Sequence, residues 1–178
     1  MSLTQYKKKR DFTKTKEPKA VKRTSTKKRL FVIQKHYATR LHFDFRLELN
    51  GVLKSWAVPK GLSKSTKDKR LAIQTEDHPI GYAKYEGTIP KGQYGAGKVI
   101  QWDIGEYFNT KIDDKGKEVS LRKCFKEGYI EIYLKGKRYK GPYALFHFKE
   151  KNWLLIKMNE TKLKARYEKL GVKYPYAK

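Results

Sequence analysis

The nine residues LHFDFRLEL, Leu41–Leu49, alternate strictly between apolar and polar side chains. This period of two is typical of a β-strand with one apolar face, because successive side chains of a strand point to opposite sides. The following dipeptide, Asn50-Gly51, favours a two-residue hairpin turn into a second strand over Val52–Val58. The polar side chains of the first strand are predicted to share one face: His42, Asp44, Arg46 and Glu48.

Further apolar runs along the chain have the length and composition of short strands. They are Phe31–Gln34, Arg70–Glu76, Lys98–Gly105, Tyr129–Leu134, Tyr143–Phe148 and Asn152–Met158. Helical signals are few: Ser120 and Asn159 are predicted to cap two short helices that end near Gly128 and towards Gly171. About eight strands with tight turns indicate an all-β barrel or sandwich. We predict a closed or nearly closed β-barrel with one or two short surface helices, since closure removes exposed sheet edges.

The composition limits the class of protein. The chain has 178 residues and a net charge of +25, from 43 Lys and Arg against 18 Asp and Glu. This length suits one domain. A single cysteine, Cys124, excludes an intramolecular disulfide and a cysteine-rich zinc site. No apolar run approaches the ~20 residues of a membrane span, and no secretory signal is recognisable. We therefore expect a cytoplasmic protein, without membrane contact, whose partner is a polyanion.

The N-terminal residues 1–29 form a basic arm, and residues 30–178 form the predicted barrel domain. Basic residues far outnumber acidic ones in the arm, and apolar ones are few. Such a segment buries too little surface to offset its ordering entropy, so part of the arm is predicted to be mobile. The arm either only improves solubility or neutralises phosphates. We favour the second interpretation, because the excess of positive charge continues into the body of the chain.

The strand Leu41–Leu49 also carries the strongest chemical signal. An imidazole and a carboxylate two residues apart, His42 and Asp44, can bind one metal, and His36 can supply a third ligand. Two histidines and a carboxylate suit Mn²⁺, Fe²⁺ or Zn²⁺ and leave positions open for water or substrate. Arg46, on the same face, has the shape for bidentate phosphate recognition. The simpler alternative is an amphipathic strand whose polar face is merely solvated.

Other candidate residues have competing interpretations. His78, at the end of a predicted strand, either donates to a phosphate or leaving group or is an exposed loop histidine. The glycine-rich stretch Glu86–Gly97 either presents backbone amides to an anion or is only a shaped connection. Some of the 13 Tyr and 3 Trp can stack on bases, although most are expected in the core.

Iron oxygenases are a rival class, because they also hold their metal with His-x-Asp and a distant histidine on a β-barrel. In this chain His42, Asp44 and His147 fit that order. The oxygenase interpretation is disfavoured because it leaves His36, Arg46 and His78 without a role. A third class is a non-catalytic basic module that guards or bridges nucleic-acid ends.

Several long stretches resemble the phosphoesterase domain of bacterial DNA ligase D, which repairs 3′ ends during non-homologous end joining. The resemblance runs through Gln34–Gly61, Asp68–Asp103 and Gly141–Glu160, and Lys9–Pro18 resembles the family's short N-terminal motif. It covers nearly the whole chain and is weakest between Tyr107 and Lys117. The resemblance implies a manganese-dependent enzyme on a β-barrel. Such an enzyme removes a 3′-terminal ribonucleoside as a phosphodiesterase, then the 3′-phosphate as a phosphomonoesterase, leaving a 3′-OH.

The resemblance also assigns roles to residues of this chain. The implied metal ligands are His36, His42 and Asp44, for Mn²⁺, with Co²⁺ and Zn²⁺ as further candidates. The residues implied at the scissile phosphate are Arg46 and His78, with Gln34 and Tyr82 in support and the basic Lys60 and Arg70 nearby. The implied N-terminal motif residues are Arg10, Asp11 and Glu17. Part of the arm is accordingly expected to fold over the active site when substrate is bound.

The resemblance suggests partners as well. Its larger members fuse this domain to ligase and polymerase modules, but no Lys-x-Asp-Gly ligase motif occurs in this sequence. We therefore expect a stand-alone monomer that acts on primer-template DNA or RNA/DNA ending in a 3′-ribonucleotide or 3′-phosphate. Its ligase and polymerase partners are expected to be separately encoded.

Overall fold

A computed structural model of the chain describes residues 3–24 and 28–176. These residues form nine strands, three short α-helices and one 3-10 helix at Ile80–Lys84. The strands are β1 (Leu30–Tyr37), β2 (Leu41–Leu49), β3 (Val52–Val58), β4 (Lys69–Pro79), β5 (Gly87–Ile89), β6 (Gly97–Asn109), β7 (Tyr129–Lys135), β8 (Lys140–Lys149) and β9 (Asn152–Lys157). The helices are α1 (Thr4–Lys8), α2 (Leu121–Glu127) and α3 (Glu160–Lys169).

The sheet closes on itself because β1 pairs with both β2 and β6. Going round the barrel, the order is β1-β2-β3-β4-β9-β8-β7-β6, with the short β5 attached to the outer side of β6. Neighbouring strands are antiparallel throughout. The predicted all-β fold, a closed barrel of about eight strands, is confirmed. The structure adds one strand and the arm helix α1, which is too short to leave a periodic sequence pattern.

The predicted turns and caps also form. Asn50 and Gly51 have φ angles of 53° and 80°, the left-handed values that a two-residue hairpin between β2 and β3 requires. The Ser120 side chain accepts a hydrogen bond from the backbone N–H of Lys123, and Asn159 does the same for α3. Helix α2 ends at Gly128, whose φ of 74° lies in the left-handed region.

Two apolar layers are packed on opposite sides of the barrel wall. Phe45 and Leu47 of β2 point inward and join a core with Trp56 and Trp153. The second layer lies outside the wall, where the arm covers β1 and β3. Its members are Tyr6, Val32, Leu53, Tyr82, Ala83, Tyr85, Ile89 and Val99. Consequently most of the polar face of β2 is covered: Asp44, Arg46 and Glu48 are buried, and His42 is partly exposed.

The described part of the arm, residues 3–24, packs against the outside of the barrel. Tyr6 is fully buried there, and its hydroxyl donates to the carbonyl of Pro18 at 2.5 Å. Residues 1, 2 and 25–27 of the predicted arm, and 177 and 178 of the predicted barrel domain, lie outside the described residues. The mobility predicted for part of the arm stays a prediction. Within the described residues, no helix has the length and apolar character needed to cross a membrane.

Candidate active site

The candidate site lies on the outer wall of the barrel, where β1, β2, β3 and β4 run side by side. The β1–β2 register places His36 opposite His42 and Gln34 opposite Asp44, so these side chains share the outer face. On β4 the register shifts: Leu53 pairs with His78, whereas Ser55 pairs with Thr75. The extra residue between Thr75 and His78 forms a β-bulge, which returns both side chains to the face of the site.

His36, His42 and Asp44 form the one group of three metal-ligating side chains within the described residues, with ligand atoms within 4.8 Å of one another. Asp44 Oδ2 is 3.3 Å from His36 Nδ1, and Asp44 Oδ1 is 3.4 Å from His42 Nε2. The geometry therefore brings together the three predicted metal ligands. His147 is not in this group, and its Nε2 donates to the Glu150 carbonyl at 2.7 Å.

Backbone carbonyls orient both imidazoles. His36 Nε2–H donates to the Gly95 carbonyl at 2.7 Å, and His42 Nδ1–H donates to the Arg40 carbonyl at 3.0 Å. Each ring therefore directs its other nitrogen, His36 Nδ1 or His42 Nε2, towards Asp44; this nitrogen donates to the carboxylate while it is protonated and offers its lone pair to a metal once the proton leaves. Metal-binding histidines are usually held in this way.

The charge of Asp44 is held by its neighbours. Burial opposes ionisation, but the Arg46 guanidinium and the hydrogen bonds from both histidines hold the pKa of Asp44 well below its usual range. Burial likewise opposes a charge on His42, but the bond to Asp44 and its charge raise the pKa of His42 above its ordinary value. The cluster thus attracts a positive charge, either a proton or a metal ion.

Arg46 presents one unused donor at the site. Its Nε donates to Gln34 Oε1 at 2.8 Å, and its Nη2 lies 3.3 Å from Asp44 Oδ2. Among the described residues, Arg46 Nη1 and Thr75 Oγ1 are buried polar atoms without a hydrogen-bond partner. Both residues line one cavity, where a ligand with oxygen atoms would supply the hydrogen-bond partners that they lack.

His78 is neutral in this structure. Its Nδ1–H donates to the carbonyl of Glu76 at 2.9 Å, and its Nε2 accepts from Arg10 Nη2 at 3.3 Å. Burial, together with the positive charges of Arg46 and Arg10, holds the pKa of His78 well below its usual range.

The N-terminal arm completes the site through Arg10. Its guanidinium donates to Glu17 Oε1 at 3.0 Å and to Glu76 Oε1 at 3.1 Å. The Tyr82 hydroxyl donates to the same Glu17 oxygen at 2.7 Å, and Gln34 Nε2 donates to the Tyr82 carbonyl at 2.8 Å. One hydrogen-bonded network therefore links the arm, the 3-10 helix and β1.

A cavity of about 300 Å³ occupies the centre of this arrangement. The predicted residues that line it are Arg10, His36, His42, Asp44, Arg46, His78 and Tyr82. Gln34 and Glu17 are buried behind the cavity and hold its walls.

Besides Gln34 and Glu17, three further predicted site residues do not line the cavity. Asp11 has a 45% exposed side chain that bonds to Thr13 and lies 3.4 Å from the Lys14 ammonium. Lys60 is exposed in the loop after β3, and Arg70 pairs with Asp68 at 3.2 Å.

The sequence did not reveal four further residues around the cavity: Thr75, Glu76, Tyr94 and Lys9. Glu76 pairs with Arg10 and with Lys9, both at 3.1 Å. Strand alternation puts Glu76 and His78 on one face, but only the bulge shows that Thr75 joins His78. Tyr94 lies in the glycine-rich stretch Glu86–Gly97, for which the sequence leaves open either anion-binding backbone amides or a shaped connection. There the carbonyl of Gly95 accepts from His36, which no sequence pattern signals.

A β-barrel whose outer wall joins three metal-ligating side chains to an unpaired guanidinium group has a site suited to a metal ion together with an anionic ligand. A comparison with protein families narrows the class to which this protein belongs. Residues 34–147 match the family described as the DNA ligase D 3′-phosphoesterase domain, and the chain belongs to this family.

Known proteins agree with this assignment. The chain is 46% identical over 162 residues to the multifunctional non-homologous end joining protein LigD of Mycolicibacterium smegmatis. The aligned residues make up 90% of this chain and 21% of that protein. The chain is 43% identical over 169 residues to the protein of the same name from Pseudomonas aeruginosa, covering 92% and 19%. A third relative, from Mycobacterium tuberculosis, is 44% identical over 167 residues. The chain spans about a fifth of the length of these curated relatives.

Proposed function

We propose that this protein heals 3′ ends of nucleic-acid strands as a metal-dependent phosphoesterase. It removes a 3′-terminal ribonucleoside and then the remaining 3′-phosphate, so that a 3′-OH is ready for ligation in non-homologous end joining. The observation that carries the proposal is the unpaired Nη1 of Arg46, which lies buried beside His36, His42 and Asp44. A phosphate oxygen is the natural acceptor for this donor.

The donor set fits a divalent transition metal such as Mn²⁺, with Co²⁺ and Zn²⁺ as alternatives. His36 Nδ1, His42 Nε2 and a carboxylate oxygen of Asp44 would hold it, because the other ring nitrogens already donate to carbonyls. When bound, the ion supplies Lewis-acid polarisation of the phosphate and a more acidic water.

Arg46 binds the phosphate and offsets its charge. Its Nε and Nη2 are held by Gln34 and Asp44, so the guanidinium is fixed at the cavity wall with Nη1 uncommitted. A preorganised donor of this kind is stronger in a water-poor site than in bulk water, since no reorientation is needed as charge develops. The Thr75 hydroxyl, also unpaired, is available as a second donor.

The two reactions break different bonds at one phosphorus atom. In the first, water adds to phosphorus and the bond to the 5′ oxygen of the terminal nucleoside breaks, so that the nucleoside leaves with a hydroxyl. In the second, water adds again and the bond to the 3′ oxygen of the strand breaks, which releases inorganic phosphate. In both, the departing oxygen needs a proton.

His78 is the residue proposed to meet this need or to bind the phosphate. In the free protein its Nε2 accepts a hydrogen bond from Arg10, so the imidazole must gain a proton before it can donate. An arriving phosphate anion favours this gain, because the negative charge opposes the effect of the two guanidinium groups on the imidazole pKa.

The net charge of +25 supports a nucleic-acid substrate. Basic residues that neutralise phosphates release counterions, so the affinity for a primer-template duplex is expected to fall steeply with salt. Lys60 and Arg70, which do not line the cavity, are proposed to contact the strand outside it. The polymerase and ligase that act on the healed end are proposed partners.

Two alternatives predict different behaviour. A non-catalytic end-binding module would keep its affinity for nucleic acid without metal and form no product. An iron oxygenase that used His147 as its third ligand would not depend on His36. The structure gives no support to the second alternative, because His147 lies outside the group formed by His36, His42 and Asp44.

The test is cleavage of a 5′-labelled primer that ends in one ribonucleotide, with Mn²⁺ or with a chelator. We expect the primer to be shortened to a 3′-phosphate and then to a 3′-OH, in the presence of metal only. His42→Ala should form neither product, whereas His147→Ala, which removes a histidine outside the site, should form both. Full activity of His42→Ala, or binding without any product in the wild type, would contradict the proposal.

A further inference from the structure

Tyr94 is the most exposed aromatic side chain at the cavity. It lies in the glycine-rich stretch between β5 and β6 and is 48% exposed, whereas Tyr82, the other tyrosine of the cavity, is 2% exposed. The Tyr82 hydroxyl is also committed to Glu17. A half-exposed ring at the entrance of a polar cavity is available to a flat ligand.

The ring of Tyr94 is held in place from two sides. The Lys9 ammonium lies 4.6 Å from the ring centroid and donates to the Tyr94 hydroxyl at 3.2 Å. On the chain, Gly92 and Gly95 have φ angles of 86° and 76°, which bend the loop back upon itself. Since the Gly95 carbonyl accepts from His36, the loop that carries Tyr94 is tied directly to the metal-ligating group.

The cavity has both a polar and an apolar part. Its polar part is lined by Arg46, whose Nη1 is unpaired, and its apolar walls come from Ala38, Ala57 and Ile89. A volume of about 300 Å³ is at the lower end for small-molecule sites, so it admits one nucleotide unit and not a length of strand. On the proposed function, this unit is the end of the strand, with its phosphate at Arg46.

We propose that Tyr94 forms a base-stacking subsite for the 3′-terminal nucleoside, the leaving group of the first reaction. This inference rests on the proposed function and adds a binding site for the part of the substrate that departs. Aromatic stacking tolerates any base, because every base presents a flat face. The subsite therefore recognises that a nucleoside is present at the end without selecting its sequence.

The two proposed reactions provide the test, because only the first substrate carries a terminal nucleoside. We expect Tyr94→Leu to lower kcat/KM for ribonucleoside removal by roughly 5- to 160-fold, the range of one lost base–aromatic stack. Removal of a 3′-phosphate from the same primer should be unchanged. Tyr94→Phe, which keeps the ring, should retain the first reaction. Phe148→Leu, which removes an equally exposed ring on β8, is the matched control and should affect neither.

A substrate whose terminal ribose lacks a base makes the comparison independent of folding. Wild type should process it more slowly by the factor that Tyr94→Leu causes on the normal substrate, and Tyr94→Leu should not slow it further. A direct readout is a 3′-terminal 2-aminopurine riboside, mixed with protein in a chelator. Its fluorescence should be quenched by wild type and by Tyr94→Phe but not by Tyr94→Leu.

The outcomes separate the two proposals. If the wild type hydrolyses neither primer, the phosphoesterase function fails and the subsite with it. If the wild type is active and Tyr94→Leu slows both reactions equally, or neither, the function stands and the subsite is refuted. Equal slowing would mean that the ring contacts the retained strand or only supports the loop.

Discussion

Arg10 Nη2 lies 3.3 Å from Nε2 of His78, so the N-terminal arm is hydrogen-bonded to an imidazole at the end of β4. This hydrogen bond fixes which ring nitrogen of His78 carries the proton. An arginine can only donate, hence His78 must present a lone pair there and carry its proton on Nδ1, which donates to the Glu76 carbonyl. Arm and barrel thus act together to keep this histidine neutral.

The neutral state of His78 predicts a pH dependence of stability. Burial and the charges of Arg46 and Arg10 hold the pKa of His78 well below its usual range. In the unfolded chain its pKa is about 6.5. Below that pH the unfolded state binds a proton that the native state does not, so the free energy of unfolding must fall as the pH falls. This group should remove about 1.4 kcal/mol between about pH 7.5 and about pH 5.5.

The measurement is urea unfolding at both pH values in a chelator, for wild type and His78→Gln. The variant should lack this part of the pH dependence. His42 acts with the opposite sign, since its raised pKa adds stability as the pH falls, so only the difference between the two proteins is diagnostic. Equal pH dependence in both proteins would show that His78 is not held neutral.

Removal of the Arg10 charge should destabilise the protein. Arg10 has a 4% exposed side chain and pairs with two carboxylates, Glu17 and Glu76, which are also buried. Arg10→Met leaves both without their main partner, a change that typically costs about 3–5 kcal/mol. The control is Asp11→Asn at the neighbouring, 45% exposed position, where the free energy of unfolding should stay close to that of the wild type. Equal costs in urea unfolding would mean that the arm does not form this network in solution.

Strand alternation predicted that His42 and Asp44 share a face, whereas His36 was predicted only from its position six residues upstream. The three residues between Tyr37 and Leu41 turn the chain so that β1 pairs back with β2. Once β1 pairs with β2, His36 must lie opposite His42, beside Asp44. The barrel itself followed in the same way from short strands and turn residues.

The remainder of the site depends on features without a local signal. Alternation shows which residues of β2 share a face, but not that both faces are buried, because the second layer comes from a distant arm. The bulge in β4 changes which residues accompany His78, and adds Thr75. The arm helix α1 is five residues long, so its buried Tyr6 had no periodic pattern to reveal it.

Arg46→Lys should keep the positive charge of the side chain but lose most of the catalytic activity. A lysine cannot donate simultaneously to Gln34, Asp44 and a phosphate in the geometry of the guanidinium fork. Loss of one preorganised donor to developing charge lowers kcat by about 10²- to 10³-fold, and both reactions should suffer because they share the phosphate. Gln34→Leu, which only frees the Arg46 Nε, should have a smaller effect. A larger loss in Gln34→Leu than in Arg46→Lys would contradict this division of roles.

Metal binding should stabilise the protein through His36, His42 and Asp44 alone. A ligand that binds only the native state adds about 2.7 kcal/mol at a concentration of about 100 times its Kd. For a chain of this size that corresponds to a rise in Tm of roughly 5–10 °C, which differential scanning fluorimetry with Mn²⁺ can measure. His36→Gln and His42→Gln should each abolish most of this rise, because each removes one ligand of the group. His147→Gln should retain it in full, since that ring bonds to the Glu150 carbonyl on another part of the barrel. A rise that survives in His36→Gln and disappears in His147→Gln would instead support the iron-oxygenase arrangement.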